Sequence, residues 1–587
     1  MRARQSEKAK NRINLALIPQ IIRVAKISKG LLFLSFMLAL VEVLSALAGP
    51  YLVGIAINQI AGKGMVDFGR LYKAAGMVAA AYFISAVASY FSAYINNVLT
   101  QNTVKNIRDR MSGKLHRLSL KYLDAHPHGD TISRFINDVK LIGDGVLLGF
   151  YQLFSGIVTI LGIIGFMIYI NLYVALAVIF LTPLSIFVAA FITKRTQKHF
   201  KEQQRLVGEL NGICQEYISG QKVVIAFNYQ EDTVEKFRKV NGQLWGVSMK
   251  AGFYSSLSNP SARFVNNLVY LAAGIFGILL NLSVGSIGSF LMYSNKYSRP
   301  FNDISNVLTQ LQAALASAER VMDFLSGEEE SPDGDVVLDK EKVEGNILFD
   351  SVFFSYTEDT ELIRDFNLLA LKGKKVAIVG RTGSGKTTLV NLLMRFYDVD
   401  SGKISIDGVN IRSATRNSLR SCFGMVLQDT WLFEDTIRDN IAYGMPDAPE
   451  KDIIRAARLA HCHDFVMSLE KGYDTRIGEQ GGSLSEGQKQ LISIARAMLL
   501  DAPVLILDEA TSNIDTRTER LISKAFELLT QGKTSFVIAH RLSTIKNVDI
   551  ILVLENGNII EQGSHEELLQ RGGAYARLYY SQFAAEA

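Results

Sequence analysis

Residues 376–388 read VAIVGRTGSGKTT, an apolar run followed by a glycine-rich loop. The run Val376–Val379 predicts a buried strand, and the spacing of apolar residues after the loop predicts an amphipathic helix. The loop fits the pattern G-x-x-x-x-G-K-T, whose glycines let backbone N–H groups curl around phosphate oxygens. The N-terminus of the following helix adds partial positive charge. The stretch therefore predicts a nucleotide-phosphate site in an α/β P-loop domain.

The residues of this loop have individual roles in the predicted site. We expect Lys386 to reach the β and γ phosphates, and Thr387 to offer its hydroxyl to Mg²⁺. The residues predicted to bind the nucleotide phosphates are Gly380, Gly383, Ser384, Gly385, Lys386, Thr387 and Thr388. A chance glycine-rich turn is the alternative, and the strand and helix around the loop argue against it.

A second apolar run, Val504–Leu507, ends in the acidic pair Asp508-Glu509. A continuous apolar run is typical of a strand that is buried on both faces. We expect Asp508 to hold Mg²⁺ and Glu509 to polarise an attacking water. An acidic pair that merely starts a helix is the alternative.

Between these two motifs, residues 484–488 read LSEGQ and precede a helix that is predicted to begin near Lys489. Ser485 and Gly487 would place a hydroxyl and backbone donors at the N-terminus of this helix, which is a second phosphate site. One nucleotide does not need two such sites from one domain. We therefore expect the second site to serve a nucleotide held by another subunit.

The composition of the whole chain excludes several classes of protein. Of 587 residues, 48% are hydrophobic and 20% charged, which excludes a disordered chain or a coiled coil. A net charge of +5 over this length gives no reason to expect a nucleic-acid partner. The three cysteines lie far apart and form no CxxC pair, so neither a disulfide framework nor a zinc site is predicted.

The first half of the chain contains stretches with almost no charge. A membrane-spanning helix needs about 20 apolar residues. The stretches are 30–60, with the single charge Glu42, and 74–103, 145–193 and 264–295, with none. Turns near Asn171 and at Asn281–Ser286 divide the last two, so six membrane-spanning helices are predicted, the last continuing through Lys296, Arg299 and Asp303. Lysine and arginine concentrate in the amino-terminal segment and two long loops, which places these and the carboxyl half in the cytosol.

These observations predict four segments. Residues 1–29 form a cytosolic amphipathic segment, 30–325 an all-α six-helix transmembrane domain, 326–344 an acidic linker, and 345–587 the α/β P-loop nucleotide-binding domain. Each long cytosolic loop contains a glycine beside a short amphipathic stretch, which suits a helix–turn–helix tip; a plain solvated loop is the alternative.

The chain resembles an ATP-binding cassette (ABC) exporter half-transporter over nearly all of its length. The motifs occur in the family's order: Walker A (380–388), the Q-loop Gln428, the TxxGExG loop (475–481), the signature (484–488), Walker B with Asp508 and Glu509, the D-loop (512–515) and the switch histidine His540. Tyr356 matches the aromatic residue that stacks on adenine.

The resemblance implies an ATPase coupled to transport, in which two such chains sandwich two ATP molecules with Mg²⁺. The expected catalytic residues are Glu509, His540 and Gln428; those expected at the metal are Thr387, Gln428 and Asp508; and those that bind nucleotide from the signature and D-loop are Ser485, Gly487, Gln488 and Asp515. Coupling helices are expected near Asp130–Asp138 and Cys214–Gly220, with one docked on the partner's nucleotide domain.

The resemblance also implies that the partner is a second half-transporter. The signature has Glu486 where the family most often has glycine, and Glu509 and His540 are kept. The chain therefore resembles the catalytically competent subunit of bacterial heterodimeric multidrug exporters, so a heterodimer is favoured and a homodimer stays open.

The expected function is export of amphiphilic small molecules across a bacterial inner or plasma membrane. A lipid or lipid-A-like flippase is the alternative, followed by a non-transporting channel or regulator. Ionisable residues within membrane-spanning helices have a high free-energy cost and are usually functional. We therefore expect Glu42 and Lys296 to face the central cavity and tune selectivity, whereas Arg299 and Asp303, four residues apart, can simply pair on one helix face.

Overall fold

The computed structural model describes residues 17–60, 66–297, 299–357, 360–428, 430–478, 484–508, 514–538 and 546–582. It divides into two compact units. The first comprises Met1–His116 and His128–Gly327, and the second comprises Arg117–Pro127 and Glu328–Ala587. All three cysteines are free.

The regular secondary structure described in the first unit is all helical, and it includes π-helical segments at Arg134–Asp138 and Gly143–Leu148. Its helices are α1 (Leu17–Ala25), α2 (Lys29–Asn58), α3 (Phe68–Leu115), α5 (His128–Ser133), α6 (Val139–Ile142), α7 (Gly149–Ile170), α8 (Leu172–Ser219), α9 (Gln221–Ala226), α10 (Gln230–Ser256), α11 (Ser258–Leu279), α12 (Val284–Tyr297) and α13 (Arg299–Ser326). The short helix α4 (Leu120–Asp124) belongs to the second unit.

Three helical stretches of the described chain are long and apolar enough to cross a membrane: Lys29–Asn58, Phe68–Leu115 and His128–Ile170. Shorter apolar stretches lie at Leu172–Leu181 and Arg263–Leu279. The predicted turn near Asn171 is present, and the Asn171 side chain caps α8 by accepting hydrogen bonds from the N–H groups of Tyr173 (3.0 Å) and Val174 (3.2 Å). Six spans remain the prediction of the sequence.

One detail of the first unit differs from the sequence-based expectation, and another stays a prediction. The turn expected at Asn281–Ser286 is shorter, because α12 already begins at Val284. At the predicted tip Asp130–Asp138, the buried Asp138 accepts a hydrogen bond of 2.8 Å from Arg320 in α13. The role of this tip as a coupling helix stays a prediction.

The segment of this loop that belongs to the second unit lies slightly earlier and contains α4. The Ser119 N–H donates to the Glu328 carbonyl at 3.1 Å, and the Glu330 N–H donates to the Arg117 carbonyl at 2.9 Å. The Tyr397 hydroxyl donates to the Asp124 carboxylate. These bonds join the segment that contains α4 to the rest of the second unit.

The second unit holds two sheets. Strands β1 (Ile347–Thr357), β2 (Thr360–Ala370), β4 (Ser401–Ile406) and β5 (Val409–Asn410) form an antiparallel sheet in the order β2-β1-β4-β5. Strands β3 (Lys375–Gly380), β6 (Phe423–Val426), β7 (Val504–Asp508), β8 (Thr534–Ile538), β9 (Ile550–Glu555) and β10 (Asn558–Gly563) form the other, in the order β10-β9-β3-β8-β7-β6. The second sheet is parallel except for β10.

The second unit contains further α-helices, several of which contact the larger sheet. They are α14 (Lys386–Leu393), α15 (Arg416–Ser421), α16 (Ile437–Ile441), α17 (Glu450–Leu459), α18 (His463–Ser468), α19 (Glu486–Leu500), α20 (Thr516–Thr530), α21 (His565–Arg571) and α22 (Ala574–Gln582). The predicted two-sided burial of Val504–Leu507 is confirmed, because Leu505 and Leu507 join one apolar cluster and Val504 and Ile506 another. The expected fold, an all-α membrane region before an α/β P-loop domain, is confirmed.

Candidate functional site

The glycine-rich loop follows β3 and leads directly into α14. Gly383 (φ +82°) and Gly385 (φ +97°) lie in the left-handed region that favours glycine. A Cβ built on Gly383 would meet no heavy atom within 4 Å. The loop therefore curls around open space at the N-terminus of α14, as a phosphate-binding loop requires.

Lys386 occupies this loop with its ammonium group. Its Nζ donates to the carbonyls of Gly380 (2.9 Å) and Arg381 (3.0 Å). Burial lowers the pKa of Lys386, and the nearby negative charge of Asp508 partly offsets this. The loop carbonyls thus hold the cation in place, and phosphate oxygens can replace them as its partners.

The Ser384 hydroxyl is buried and has no hydrogen-bond partner among the described residues. A buried polar group without a partner costs about 1–3 kcal/mol. The hydroxyl sits inside the phosphate loop, so a phosphate oxygen would satisfy it. This orphaned donor and the open space beside Gly383 both fit a bound nucleotide.

Tyr356 lies beside the phosphate loop, and its hydroxyl is hydrogen-bonded. Its hydroxyl donates to Thr388 Oγ1 at 3.2 Å and accepts from Asn391 Nδ2 at 3.3 Å, which ties the ring to α14. The ring packs edge-to-face on Tyr397 with centroids 5.0 Å apart. Stacking of Tyr356 on adenine remains a prediction.

The metal-binding residues predicted from the sequence lie at the same edge of the larger sheet. Asp508 ends β7, two strands from β3 in the sheet order, and Thr387 is in the first turn of α14. Gln428 is exposed and follows β6, beside β7. Within the described residues no group of three or more His, Cys, Asp or Glu side chains could hold a metal alone. Mg²⁺ usually needs only one or two carboxylates beside substrate phosphates, so Thr387 and Asp508 fit that role.

Two predicted catalytic residues, Glu509 and His540, lie outside the described residues. The strands that lead to them are described. Asp508 pairs with Ile538 across β7 and β8, so both strands end at the edge of the sheet where β3 enters the phosphate loop.

The LSEGQ segment forms a helix start, but earlier than predicted. Helix α19 begins at Glu486 rather than near Lys489, because Ser485 caps it. The Gln488 N–H donates to Ser485 Oγ at 3.3 Å, and the Ser485 N–H donates to Gln488 Oε1 at 2.9 Å. Since the serine oxygen accepts in this cap, its O–H remains available as a donor.

Gly487 and Asp515 are held by neighbouring helices. A Cβ on Gly487 would lie 2.4 Å from Thr518 Cγ2 and 3.1 Å from Ile514 Cγ2, so glycine permits the close packing of α19 on α20. The Asp515 carboxylate caps α20 by accepting from the N–H groups of Arg517 (3.1 Å) and Thr518 (3.0 Å). Contacts of either residue with nucleotide remain predictions.

Gly557 is a site residue that the sequence analysis missed. It lies in the β9–β10 turn with φ +79°, and its N–H donates to the Ser384 carbonyl at 3.0 Å. A Cβ there would lie 1.5 Å from the Leu362 carbonyl oxygen. The turn is thus wedged between the phosphate loop and β2. The dipeptide Asn556-Gly557 between apolar runs is typical of a hairpin turn, but nothing in the sequence locates that turn behind the loop.

Comparison with known proteins agrees with this geometry. The family model for the ABC transporter transmembrane region matches residues 32–301, and the ABC transporter model matches residues 363–512. A fatty acid ABC transporter ATP-binding/permease protein of Mycobacterium bovis is 42% identical over 89% of this chain and 83% of its own length. An ATP-dependent lipid A-core flippase of Syntrophus aciditrophicus is 38% identical over 86% of this chain and 84% of its own length.

A Bacillus subtilis protein named for multidrug export is 34% identical over 96% of this chain and 99% of its own length. These similarities agree with three features of the structure, namely the phosphate loop, the capped signature helix and the helical first unit. The chain belongs to the ABC transporter family, as an ATP-binding exporter half-transporter of the membrane that works as a dimer.

Proposed function

We propose that the chain is an ATP-hydrolysing half of an exporter for amphiphilic molecules in a bacterial inner membrane, with its second unit in the cytoplasm. The observation that carries this proposal is that one chain contains two separate and incomplete nucleotide sites. The phosphate loop has an orphaned Ser384 hydroxyl, and the distant Ser485 cap offers a free O–H. Two chains facing each other would bring one of each to every nucleotide.

The residues of this chain have separate tasks in that site. Lys386 exchanges its two carbonyl partners for phosphate oxygens, and Ser384 donates to the phosphates. Bound Mg²⁺, held by Thr387 and Asp508 with Gln428 nearby, would neutralise phosphate charge. Glu509 orients and deprotonates water, while His540 contacts the γ-phosphate. ATP favours the closed dimer because only that state makes contacts from both chains.

Exposed apolar side chains on the first unit support docking on a second subunit. A group on α9 and its flanks, here called the loop-tip patch, is exposed in the single chain: Ile218, Val223, Ile225, Phe227 and Tyr229. A second group follows β6 in the other unit and is also exposed: Leu427, Trp431, Phe433 and Tyr443. Patches of this kind mark interaction sites, so the loop-tip patch of one chain would cover the second group of its partner.

Glu486 bears on the identity of that partner. It stands in the first turn of α19 and pairs with Lys489 at 2.8 Å. A carboxylate at this helix start occupies the place where the helix dipole would otherwise attract phosphate. The nucleotide facing this signature would therefore be bound or hydrolysed less well, which favours a heterodimer with one weaker site.

Lipid flipping is the second candidate for the transported substrate. The specific observation in its favour is that a 38% identical relative is named as a lipid A-core flippase. Both candidates use an amphiphile and the same ATP site, so the ATP site is tested first.

The test uses the full chain in lipid nanodiscs, alone and with candidate partner halves. Glu509→Gln is expected to retain ATP binding and to lose hydrolysis by about a hundredfold or more, because general-base catalysis contributes that much. Binding of ATP with no hydrolysis by the unaltered chain in any pairing would overturn the proposal.

A further inference from the structure

Helices α2 and α12 pack unusually closely through small residues. A Cβ on Gly54 would lie 2.0 Å from Ser289 Oγ, and one on Gly285 would lie 1.9 Å from the Gly54 carbonyl oxygen. The Tyr293 hydroxyl donates to the Leu47 carbonyl at 2.6 Å. Small residues at such a contact allow backbones in a membrane to approach each other. The contact fixes the position of the ionisable residue that follows on α12, Lys296.

Lys296 contacts a carbonyl group of α2 that Pro50 leaves without its helical hydrogen bond. Pro50 has no N–H, so the carbonyl four residues earlier, that of Ala46, lacks its helical partner. Lys296 Nζ donates to this carbonyl at 3.3 Å. The same ammonium lies 6.0 Å from the ring centroid of Tyr82. The lysine is therefore half-buried against α2 and α3 rather than turned away from them.

Satisfying one carbonyl does not explain a positive charge at this place. An ammonium has three donors, and one goes to Ala46. Among the described residues no carboxylate pairs with Lys296. Glu42, one helical turn before Ala46, accepts instead from the Tyr151 hydroxyl at 2.8 Å. Ionisable residues within membrane helices are costly and usually mark a functional site.

We propose that Lys296 binds the anionic headgroup of the transported amphiphile, a carboxylate or a phosphate. The two remaining N–H donors of the ammonium donate hydrogen bonds to the headgroup oxygens, and the Tyr82 ring lies beside the cation. The proposal names the substrate class of the exporter and therefore rests on the proposed function. It also predicts that neutral amphiphiles of equal chain length bind without help from Lys296.

The test measures ligand affinity in the purified transporter, in nanodiscs of uncharged phosphatidylcholine. The probes are palmitate and its neutral analogue hexadecanol, followed by lysophosphatidate, and the readouts are displacement of a fluorescent fatty acid and stimulation of ATPase. Lys296→Gln removes the charge and keeps an N–H donor for Ala46. Lys296→Arg keeps the charge. Lys73→Met, at an exposed position of α3, is the matched control.

We expect Lys296→Gln to raise the concentration of palmitate needed for half-maximal displacement on the order of tenfold, because it leaves a headgroup charge unpaired. Hexadecanol should be unaffected, Lys296→Arg should restore most of the affinity, and Lys73→Met should match the unaltered protein. A stronger effect on lysophosphatidate than on palmitate would support a phosphate headgroup, and the reverse a carboxylate.

Equal affinities of the Lys296→Gln and unaltered transporters for both anions would overturn the headgroup proposal. An equal loss for palmitate and hexadecanol would also overturn it, because the lysine would then only support the helix contact. Failure of the unaltered protein to hydrolyse ATP would instead overturn the proposed function, so the two failures are distinct.

Discussion

Lys386, Ser384 and Gly385 are residues whose places follow from sequence alone. Their spacing after a strand leaves one compatible geometry, a loop curled over the N-terminus of a helix. The sequence also predicts Ser485, Gln488 and Asp515 as nucleotide contacts, and the structure engages each of them in a helix cap. A cap and a phosphate site use the same residue types at the same position, so the sequence cannot separate the two roles.

Ser384→Ala is expected to separate binding from stability. Because the hydroxyl has no partner in the described protein, its removal should leave the melting temperature unchanged or higher, while ATP affinity falls several-fold. Ser535→Ala is the control, since that buried hydroxyl donates to the Lys533 carbonyl. It should lower the melting temperature without altering ATP affinity. A loss of stability in Ser384→Ala with normal ATP binding would contradict the site.

Gly557→Ala is expected to weaken ATP binding on the order of tenfold, because the added methyl must displace either β2 or the phosphate loop. Gly532→Ala is a matched control: Gly532 has a similar φ of +72°, but a Cβ there meets nothing within 4 Å. The measurement is binding of a fluorescent ATP analogue without hydrolysis. Similar effects of the two variants would show that only backbone strain matters.

At the scale of elements, strands and long helices were more predictable than their ends. The apolar runs of β3 and β7 and the turn at Asn171 follow directly from pattern and composition. The start of α19 was predicted late because the capping pair Ser485 and Gln488 was interpreted as ligand-binding. Helix α4 was missed because its five residues are too few to show periodicity, and its place depends on bonds to residues distant in sequence.

Glu486→Gly tests the signature helix as an anion site. Removing the carboxylate and its pair with Lys489 should raise ATPase activity several-fold at the facing nucleotide, since the helix dipole then attracts phosphate unopposed. Glu486→Gln removes the charge without adding glycine flexibility and should give most of the gain. Unchanged activity in both variants would remove the argument for a weakened site.

The acidic linker is anchored by charge. Asp398 lies after α14 and is half-buried, which acts to raise its pKa, but hydrogen bonds from Ser331 of the linker and from Arg395 hold that pKa below its usual value. The carboxylate therefore stabilises the fold above the unfolded-state pKa of about 4, and this contribution is lost as the pH falls through the lower folded-state value.

Asp398→Asn should therefore make stability less dependent on pH below about pH 5, where the carboxylate contribution of the unaltered protein is lost. Thermal unfolding can be followed by the fluorescence of Trp431 in a Trp245→Phe background, since the chain has two tryptophans. Asp350→Asn is the control, because its exposed pair with Lys403 contributes little. The same pH dependence in Asp398→Asn and in the unaltered protein would contradict the anchoring role.

At the scale of the whole molecule, the order of a helical membrane region and an α/β nucleotide unit was predictable from composition and motifs. The boundary was not, since Arg117–Pro127 of an early loop belongs to the second unit. Substrate and partner are less accessible to sequence, because they depend on few side chains whose neighbours come from other helices. Lys296 is one of these side chains, because its environment is formed by Pro50, Ala46 and Tyr82 from other helices.

The central claim is that each nucleotide is sandwiched between the phosphate loop of one chain and the LSEGQ helix of another. The direct measurement is ATP turnover per chain in nanodiscs sorted to contain either one chain or two, the second being another copy or a partner half. We predict hydrolysis from the two-chain discs and none above background from the one-chain discs. Equal turnover per chain in both populations would contradict the composite site.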